Sequence, residues 1–375
     1  MIFDRPRWTS RPRGISLLEV MISIGVVGVG LIGVAALIPL AHYKAAQGVR
    51  EDRKALTGRR AFREFRIRDL ARPGDMASPM TGPNPYYYWP TTNPYAIYNQ
   101  PPDGKLTRRA YCLDPLYVAA AVDSGNQNIA GSFPSNAPVT IPRITMLSSR
   151  PDDLRRRFGP NVANQMLLNN PPVMTRAQAE ETFLMRDELV FEQPEDATQP
   201  PFQQYLEGNK RYASGSYSWM ATLVPDPFNN SDLYSLSIVV FYRRNLAMDV
   251  PQEIMVEVNP ASFQLGLADV KNIQIAQKNQ PLNKEASVKD IKTGDWIALM
   301  QQQMPNDPQT TTLKWYRVLA ADELDGEADL TRELSLSGPD WNIQSPQPIY
   351  ALYMKDIVAV FEKTARLYDS SMYAY

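Results

Sequence analysis

The chain has 375 residues, of which 44% are hydrophobic and 21% are charged, and its formal net charge at pH 7 is −1. This charge balance gives no support for nucleic-acid binding. The single histidine, His42, argues against a histidine-based catalytic triad and against a multi-histidine metal site. The single cysteine, Cys112, excludes an intramolecular disulfide, and a chain of this length can bury a sufficient core without one.

The first predicted element is a helix over the apolar run from Ile15 to Ile38. At about 1.5 Å per residue this helix spans about 36 Å, enough to cross a bilayer core of about 30 Å. Ser16 and Ser23 interrupt the run, but a serine in a helix can bond back to helix carbonyls. Pro39 marks the far end, because proline kinks or stops a helix. The run predicts a membrane-spanning segment.

Residues 1–14 form a short basic leader in front of this run. Four arginines, Arg5, Arg7, Arg11 and Arg13, face a single acid, Asp4. The positive-inside rule places such a flank in the cytoplasm. The far flank is also basic, so charge alone does not decide the orientation.

Glu19 is a carboxylate inside the apolar run, where insertion costs about 2.5–3.5 kcal/mol. Such a residue normally has a positively charged partner. If the chain were cut between Gly14 and Ile15, the new amine of Ile15 would stand one helical turn from Glu19. In an assembly, the carboxylate of one subunit could instead meet the amine of its neighbour and set the axial step.

Two simpler interpretations of this stretch are a signal anchor and a cleaved signal peptide. The run is longer than the 7–15 residues of a signal-peptide core, and no Ala-x-Ala cleavage site follows it. A generic anchor explains the length of the run but does not explain Glu19 so soon after Gly14.

The stretch Gly14-Ile15-Ser16-Leu17-Leu18-Glu19-Val20 resembles the prepilin cleavage and methylation motif of type IV pilins and type II secretion pseudopilins. The continuation of the run is similar to the minor pilins of the PilV type. The resemblance covers roughly residues 5–70. Two features depart from it: Ile15 stands where phenylalanine is usual, and Pro39 lies slightly later than the usual proline.

The resemblance implies that a prepilin peptidase cuts after Gly14 and methylates the amine of Ile15, so that Glu19 stands fifth in the mature chain. It also implies the partners: other pilin or pseudopilin subunits, an inner-membrane assembly platform and the lipid bilayer. The implied location is the bacterial inner membrane, with a cytoplasmic N-terminus and a periplasmic or extracellular head, and then a filament. No catalytic residue, cofactor or metal ligand is predicted.

The helix is predicted to continue through residues 39–72, beyond the membrane half at 15–38, until Pro73 stops it. A modest apolar stripe runs through Ala41, Ala45, Val49 and Leu56, and Phe62, Phe65 and Leu70 extend it toward the body. The remaining faces are basic, and we expect a solvated surface, although anionic lipid or nucleic acid is an alternative. The upper half of the helix is predicted to dock on a sheet.

Residues 73–250 are predicted to form a pilin-like head. It begins with a loop rich in proline and tyrosine, at 83–102. Ala110–Val122 is a short helix or strand, and residues 141–192 are mostly helical. Within this range, a helix is predicted from Arg150 to Phe158. Thr175 and Gln178 have the spacing of a capping box and predict a second helix that ends at Phe183. A strand is predicted from Asp187 to Glu192. A polar loop at 193–215 precedes a central hairpin of Ser216–Val224 and Leu233–Arg244.

Residues 251–375 are predicted to form a second, β-rich part. Its candidate strands are Gln252–Val258, Val270–Ala276, Trp296–Gln301, Lys314–Ala321, Thr331–Ser337 and Ile349–Tyr368. Short strands at this spacing suggest a small barrel or sandwich. The last strand is expected to run back beside the central hairpin. The fold class is α+β, a long transmembrane helix extending into a head with an antiparallel sheet and a barrel- or sandwich-like part.

No motif in the head points to catalysis. The acids from Asp322 to Asp329 form an oxygen-rich loop that could bind calcium, but their spacing favours an acidic hairpin tip in solvent. Cys112 is expected to be a buried thiol, and His42 to sit at the membrane interface. The sequence predicts a minor pilin or pseudopilin. The alternatives are an adhesin or ligand-binding module on a pilin stem, with the 83–102 loop as its surface, and an anchored enzyme.

Overall fold

The structure is a computed structural model of the whole chain, and it divides into two compact units, residues 1–53 and 54–375. The residues that it describes are 16–68, 70, 87–88, 110–125, 131–135, 137–148, 151–169, 173–185, 189–191, 211–213, 216–225, 233–246, 252–259, 272–277, 288–303, 311–322, 330–341 and 346–366.

In the first unit the described residues are Ser16 and the first part of helix α1. The helix begins at Leu17 and ends at Ile67, inside the second unit. The apolar side chains of this unit point outward: Leu17 is 80% exposed and Val29 is 73% exposed. An 18-residue window of α1 has a mean hydropathy of 2.5 and is not buried at all. By length and composition, α1 can therefore cross a membrane. Pro39 lies inside the helix, so the prediction that the helix continues beyond the apolar run is confirmed, although α1 ends at Ile67 rather than at residue 72.

The second unit contains the rest of α1, four more helices and fifteen strands among its described residues. The helices are α2 (Pro115–Asp123), α3 (Pro151–Phe158), α4 (Pro160–Asn169) and α5 (Arg176–Phe183). The strands are β1 (Tyr87–Tyr88), β2 (Tyr111–Leu113), β3 (Ser132–Phe133), β4 (Ile141–Met146), β5 (Leu189–Phe191), β6 (Arg211–Ala213), β7 (Tyr217–Pro225), β8 (Leu233–Tyr242), β9 (Glu253–Val258), β10 (Asn272–Gln277), β11 (Trp296–Gln302), β12 (Thr311–Ala321), β13 (Leu330–Ser337), β14 (Ile349–Met354) and β15 (Ile357–Arg366).

The central sheet has the strand order β1-β4-β2-β7-β8-β15, with β3 paired to β4. The predicted hairpin is confirmed as β7 and β8, which pair from Tyr217 opposite Tyr242 to Pro225 opposite Tyr234. Pairing is antiparallel except between β2 and β4, which run parallel. The predicted helical character of residues 141–192 is wrong at its start, because 141–146 is strand β4.

Strands β9 to β14 form a closed barrel in the order β10-β13-β12-β11-β14-β9, so the predicted barrel or sandwich is a barrel. The chain leaves the central sheet after β8, forms the barrel, and returns as β15, which pairs antiparallel with β8. The expectation that the last strand runs back beside the hairpin is thus confirmed. The predicted single strand Ile349–Tyr368 is wrong, because a turn at Lys355 and Asp356 divides it. Asp356 has a φ of 74°, which no β-strand tolerates.

Alternate residues of β7 and β8 point to opposite faces of the central sheet. Both faces are covered by other parts of the second unit. On one face, Trp219, Leu236 and Ile238 pack with Ala61 and Phe65 of α1. On the other face, side chains of the sheet pack against the outer wall of the barrel. These residues include Met220, Val239 and Phe241 from the sheet and Met255, Met300, Leu313, Trp315 and Leu352 from the barrel. The barrel has its own interior core, with Ile297, Leu299 and Leu334 among its members.

The predicted apolar stripe of α1 does not form one buried face. Val49 in the first unit is 53% exposed, and Leu56 in the second unit is 46% exposed. The face that packs on the sheet is made of Gly58, Ala61 and Phe65, which are buried. The predicted extension of the stripe toward the body is confirmed, because Phe65 and Leu70 are buried in the core and Phe62 packs against it. Leu56 fails because its spacing from Phe65 places the two residues on opposite faces of a helix of 3.6 residues per turn.

Two smaller predictions in the head have clear outcomes. The capping box is confirmed, because the Thr175 side chain accepts from the Gln178 amide and the Gln178 side chain accepts from the Thr175 amide. The strand expected between Asp187 and Glu192 is present as β5. The loop predicted at 193–215 contains β6, which pairs with β5, and the rest of that range lies outside the described residues.

Candidate functional site

The start of α1 is the first candidate site. Among the predicted processing and assembly residues, Glu19 is described, while Gly14 and Ile15 lie outside the described residues. The Glu19 amide donates to the Ser16 hydroxyl over 3.2 Å, and the Ser23 hydroxyl donates to the Glu19 carbonyl over 2.8 Å. Ser23 therefore bonds back into the helix as predicted, whereas Ser16 accepts a hydrogen bond at the helix start.

Apart from Ser16 and Ser23, the described side chains around Glu19 are apolar. Leu18 is 70% exposed and Ile22 is 58% exposed, so the surface around the carboxylate is open and hydrophobic. The nearest basic residue before Glu19 in the sequence is Arg13, and the nearest after it is His42. If this part of α1 crosses a membrane, a carboxylate at this position is costly unless a cation lies beside it.

The part of α1 in the second unit packs closely on the sheet. A Cβ atom added at Gly58 would lie 2.5 Å from the ring of Phe361 on β15, so only glycine fits there. Ala61 and Phe65 follow on the same face at helical spacing and are buried. The Thr57 hydroxyl lies 2.9 Å from the sulfur of Met185. These contacts fix α1 to the central sheet.

A buried cluster of four charged side chains is the second candidate site. Asp114 caps α2 and accepts two hydrogen bonds from Arg244, at 2.7 and 2.6 Å. Arg143 on β4 forms a salt bridge with Glu253 at the start of β9, and its Nε lies 3.9 Å from Asp114. The side chains of Arg143 and Asp114 are completely buried. Two arginines and two carboxylates thus neutralise one another away from solvent.

Hydrogen bonds and an aromatic ring hold this cluster in place. The Arg143 guanidinium carbon lies 3.6 Å from the centre of the Tyr117 ring. The Tyr117 and Ser135 hydroxyls are 2.9 Å apart, and the Ser135 amide donates to Glu253 over 2.7 Å. The cluster therefore connects α2, β4, the end of β8 and the first strand of the barrel.

The electrostatics of the cluster favour its charged form. Burial on its own raises the pKa of Asp114, but Arg244 and Arg143 outweigh it and hold that pKa below the usual 3.8. Burial likewise lowers the pKa of Arg143, yet Glu253 and Asp114 outweigh it, and the pKa is raised. Among the described residues there is no group of acids, histidines or cysteines that could hold a metal ion.

Sequence reasoning missed this cluster. Its partners are far apart in the chain: 110 residues separate Arg143 from Glu253, and 130 separate Arg244 from Asp114. Two local signals were present. Asp114 precedes Pro115 as a helix cap should, and Arg143 interrupts an apolar strand in Ile-Pro-Arg-Ile.

The other predicted residues have separate locations. Cys112 is fully buried on β2, as expected, and burial raises the pKa of its thiol. His42 lies on an exposed part of α1. Tyr87 and Tyr88 pair with β4, and the rest of the 83–102 loop lies outside the described residues. Of the acidic loop, Asp322 is described and exposed, and 323–329 lie outside the described residues.

Comparison of the chain with protein-family models, with curated proteins and with solved structures finds no match. The function of the chain must therefore be argued from its own residues.

Proposed function

We propose that this protein is a minor pilin or pseudopilin, a structural subunit that enters a type IV pilus or a type II secretion pseudopilus through α1. The observation that carries the proposal is the start of α1: a membrane-length, outward-facing apolar helix that holds one carboxylate, Glu19, four residues after Ile15. In the mature subunit, the amine of Ile15 and the carboxylate of Glu19 neutralise each other, within one chain or between neighbours.

Processing creates that amine. Water adds across the Gly14–Ile15 amide, so the leader leaves with a carboxylate on Gly14 and the helix keeps a free amine on Ile15. Before this step the cation that Glu19 needs does not exist in the apolar segment. The prepilin peptidase therefore controls whether the subunit can assemble.

The packing of α1 on the central sheet supports a role for this helix as a stem. Its second-unit part packs on the sheet through Ala61, Phe65 and the close approach of Gly58 to Phe361. The head continues into a barrel, and so large a head packs poorly in a long homopolymer. A minor or tip position therefore suits this subunit better than the major position.

The test is the mass and N-terminal sequence of the mature protein, with and without a prepilin peptidase, followed by a Glu19→Ala variant. We expect the mature chain to begin at Ile15. Glu19→Ala is expected to insert into the membrane and fail to join the filament. Glu51→Ala, on an exposed part of the same helix beyond the apolar run, is the matched control and should assemble normally. A mature chain that still begins at Met1 in the presence of the peptidase would refute the proposal.

A second candidate is a ligand-binding module displayed on the stem. The barrel favours this candidate, because the whole barrel of β9 to β14 is inserted in the chain between β8 and β15, two paired strands of the central sheet. Deleting residues 83–102 should then abolish ligand binding while assembly survives. Unchanged binding would remove this loop as the binding surface.

A further inference from the structure

A pair of short helices on the head, α3 and α4, meets in a sharp turn at the surface. The turn is made by Gly159, whose φ of 81° is a conformation that other residues rarely adopt. Beneath the two helices, Leu154 and Ala163 are buried with Leu147 in a small core of their own. This core holds the helix pair by one side, and the residues around the turn are left at the surface.

The residues around this turn are basic and apolar, and we call them the α3–α4 tip. They are Arg156, Arg157, Phe158, Pro160 and Val162, and all five are exposed. Phe158 is 43% exposed and Val162 is 49% exposed, so two large apolar side chains face solvent. The guanidinium carbon of Arg157 lies 5.2 Å from the centre of the Phe158 ring, which places a positive charge directly beside the apolar surface.

The α3–α4 tip carries positive charge without an acid close to it in the chain. Residues 154–169 contain three arginines, at 155–157, and no aspartate or glutamate. The acids at 152 and 153 belong to the first turn of α3, at the other end of that helix. A surface that combines arginine with exposed aromatic and aliphatic side chains is complementary to the interface of an anionic bilayer, which is negative at its headgroups and apolar below them. A nucleic acid would match the charge but would leave Phe158 and Val162 in water.

A bilayer is also the surface that the chain itself brings close to its head. By length and composition α1 can cross a membrane, and the same helix continues into the second unit as residues 54–67. The stretch between the apolar run and the head, residues 40–53, is about 21 Å long as a helix. A binding surface that is tethered near its partner meets it at a high effective concentration, so a weak affinity is enough for docking.

We propose that the α3–α4 tip is a docking site for anionic phospholipid: Arg156 and Arg157 bind headgroup phosphates while Phe158 and Val162 insert among the headgroups. Arginine suits this role because its planar guanidinium donates two parallel hydrogen bonds to phosphate oxygens. The proposal requires that α1 anchors the chain in a membrane. It goes beyond the proposed function, since it depends neither on cleavage after Gly14 nor on entry into a filament.

The experiment places a polarity-sensitive nitrobenzoxadiazole label at the tip of the full chain, reconstituted into vesicles. Asn161→Cys supplies the attachment point, because Asn161 is exposed and the natural thiol of Cys112 is completely buried. We expect blue-shifted emission in vesicles of equal parts phosphatidylcholine and phosphatidylglycerol, and water-like emission in phosphatidylcholine alone. Raising the ionic strength from about 0.1 M to about 1 M should weaken docking, because the Debye length shortens from about 10 Å to about 3 Å.

Two variants separate the charged part of the site from the apolar part. Arg156→Gln combined with Arg157→Gln should lower the docking equilibrium constant about 30-fold, about fivefold for each arginine, and remove most of the salt dependence. Phe158→Ala should weaken docking but keep the salt dependence. The matched control is Arg176→Gln combined with Arg317→Gln, which removes two exposed arginines elsewhere in the head and should dock as the wild type does.

Four results would overturn the proposal. Water-like emission in the anionic vesicles would show that the tip does not reach the bilayer. Equal emission in neutral and anionic vesicles would show that the arginines do not bind lipid. An equal loss in the matched control would show a general effect of the charge of the head. A blue shift that grows with the number of chains per vesicle, and not with lipid charge, would assign the tip to contacts between proteins. Each of these results leaves the proposed function intact, because that function is tested by where the mature chain begins.

Discussion

Asp114 and Glu19 are two carboxylates that differ in the residues around them. Asp114 in the head accepts two hydrogen bonds from Arg244 and lies near Arg143, so its charge is neutralised inside its own unit. Glu19, on the apolar half of α1, has apolar residues and two serines, Ser16 and Ser23, as its neighbours along the described chain, and none of them is charged. The buried acid has its cations within the described residues of the head, whereas the cation that we propose for Glu19 is the amine of a processed Ile15.

This comparison predicts that only Asp114 contributes to the free energy of unfolding of the head. Asp114→Asn removes the charge that balances two buried arginines, and we expect the free energy of unfolding of the head to fall by about 3–5 kcal/mol. Glu19→Gln should leave the unfolding of the head unchanged, because the residue makes no contribution to the head core. Thermal and urea unfolding of the full chain in detergent measure both effects.

The control for burial is the exposed pair Arg176–Glu180 on α5, whose charged atoms are 2.9 Å apart. Glu180→Gln should change the stability by less than about 0.5 kcal/mol, because exposed pairs gain little from their attraction. If Asp114→Asn and Glu180→Gln lowered the free energy of unfolding equally, the contrast between buried and exposed charge pairs would be wrong.

A second prediction concerns the contact that ties the stem to the head. Gly58→Ala places a methyl group 2.5 Å from the ring of Phe361, and overpacking of this kind should cost about 1–3 kcal/mol of head stability. Gly48→Ala is the control, because a Cβ there meets no atom within 4 Å. In a helix with open space, alanine stabilises by up to about 1 kcal/mol. Unfolding midpoints that rise for both variants would mean that α1 does not lie this close to β15.

Much of the fold was predictable because its signals are local. The hairpin of β7 and β8 follows from alternating and β-branched residues around a turn, and the α5 cap from the three-residue spacing of Thr175 and Gln178. The closed barrel was anticipated only as a barrel or sandwich. Strand spacing sets the number of strands, but which edges meet is decided by long-range pairing, as between β9 and β10.

Three features of the structure were not predicted: the charge cluster, the buried face of α1 and the turn between β14 and β15. The charge cluster joins residues more than 100 positions apart, so no window of sequence contains it. The buried face of α1 is set by what the sheet presents, and Gly58 looks like a weak helical position until Phe361 lies against it. The charged pair Lys355-Asp356 separates two apolar stretches, and this local signal for a turn was overlooked.

A third prediction tests one of the local signals. Thr175→Ala removes the side chain that accepts from the Gln178 amide, and we expect a loss of about 1 kcal/mol in the stability of the head. Thr175→Ser keeps the hydroxyl and should restore most of it. The cap would be judged unimportant if both variants unfolded at the wild-type denaturant concentration.

The smallest predicted effect belongs to a third acid, Glu362 on β15. Its surroundings are intermediate between those of Asp114 and Glu19. It is partly exposed, it accepts a hydrogen bond from Ser237 over 3.2 Å, and burial raises its pKa above the usual 4.5. The folded state therefore binds this proton more tightly than the unfolded state does, and stability falls as pH rises from about 4.5 through the folded pKa. Asp114 behaves in the opposite way, because its lowered pKa makes stability fall as pH drops below 3.8.

Glu362→Gln removes the cost of holding this charge at pH 7. We expect the variant to be slightly more stable than wild type at pH 7, by less than about 1 kcal/mol because solvent reaches part of the carboxylate. The gain should shrink toward zero near pH 4, where the wild-type group is protonated in both states. Urea unfolding at the two pH values measures it. A variant that is less stable than wild type at pH 7 would show that the Ser237 bond outweighs burial, and Glu362 would then resemble Asp114 as an acid that its own unit stabilises.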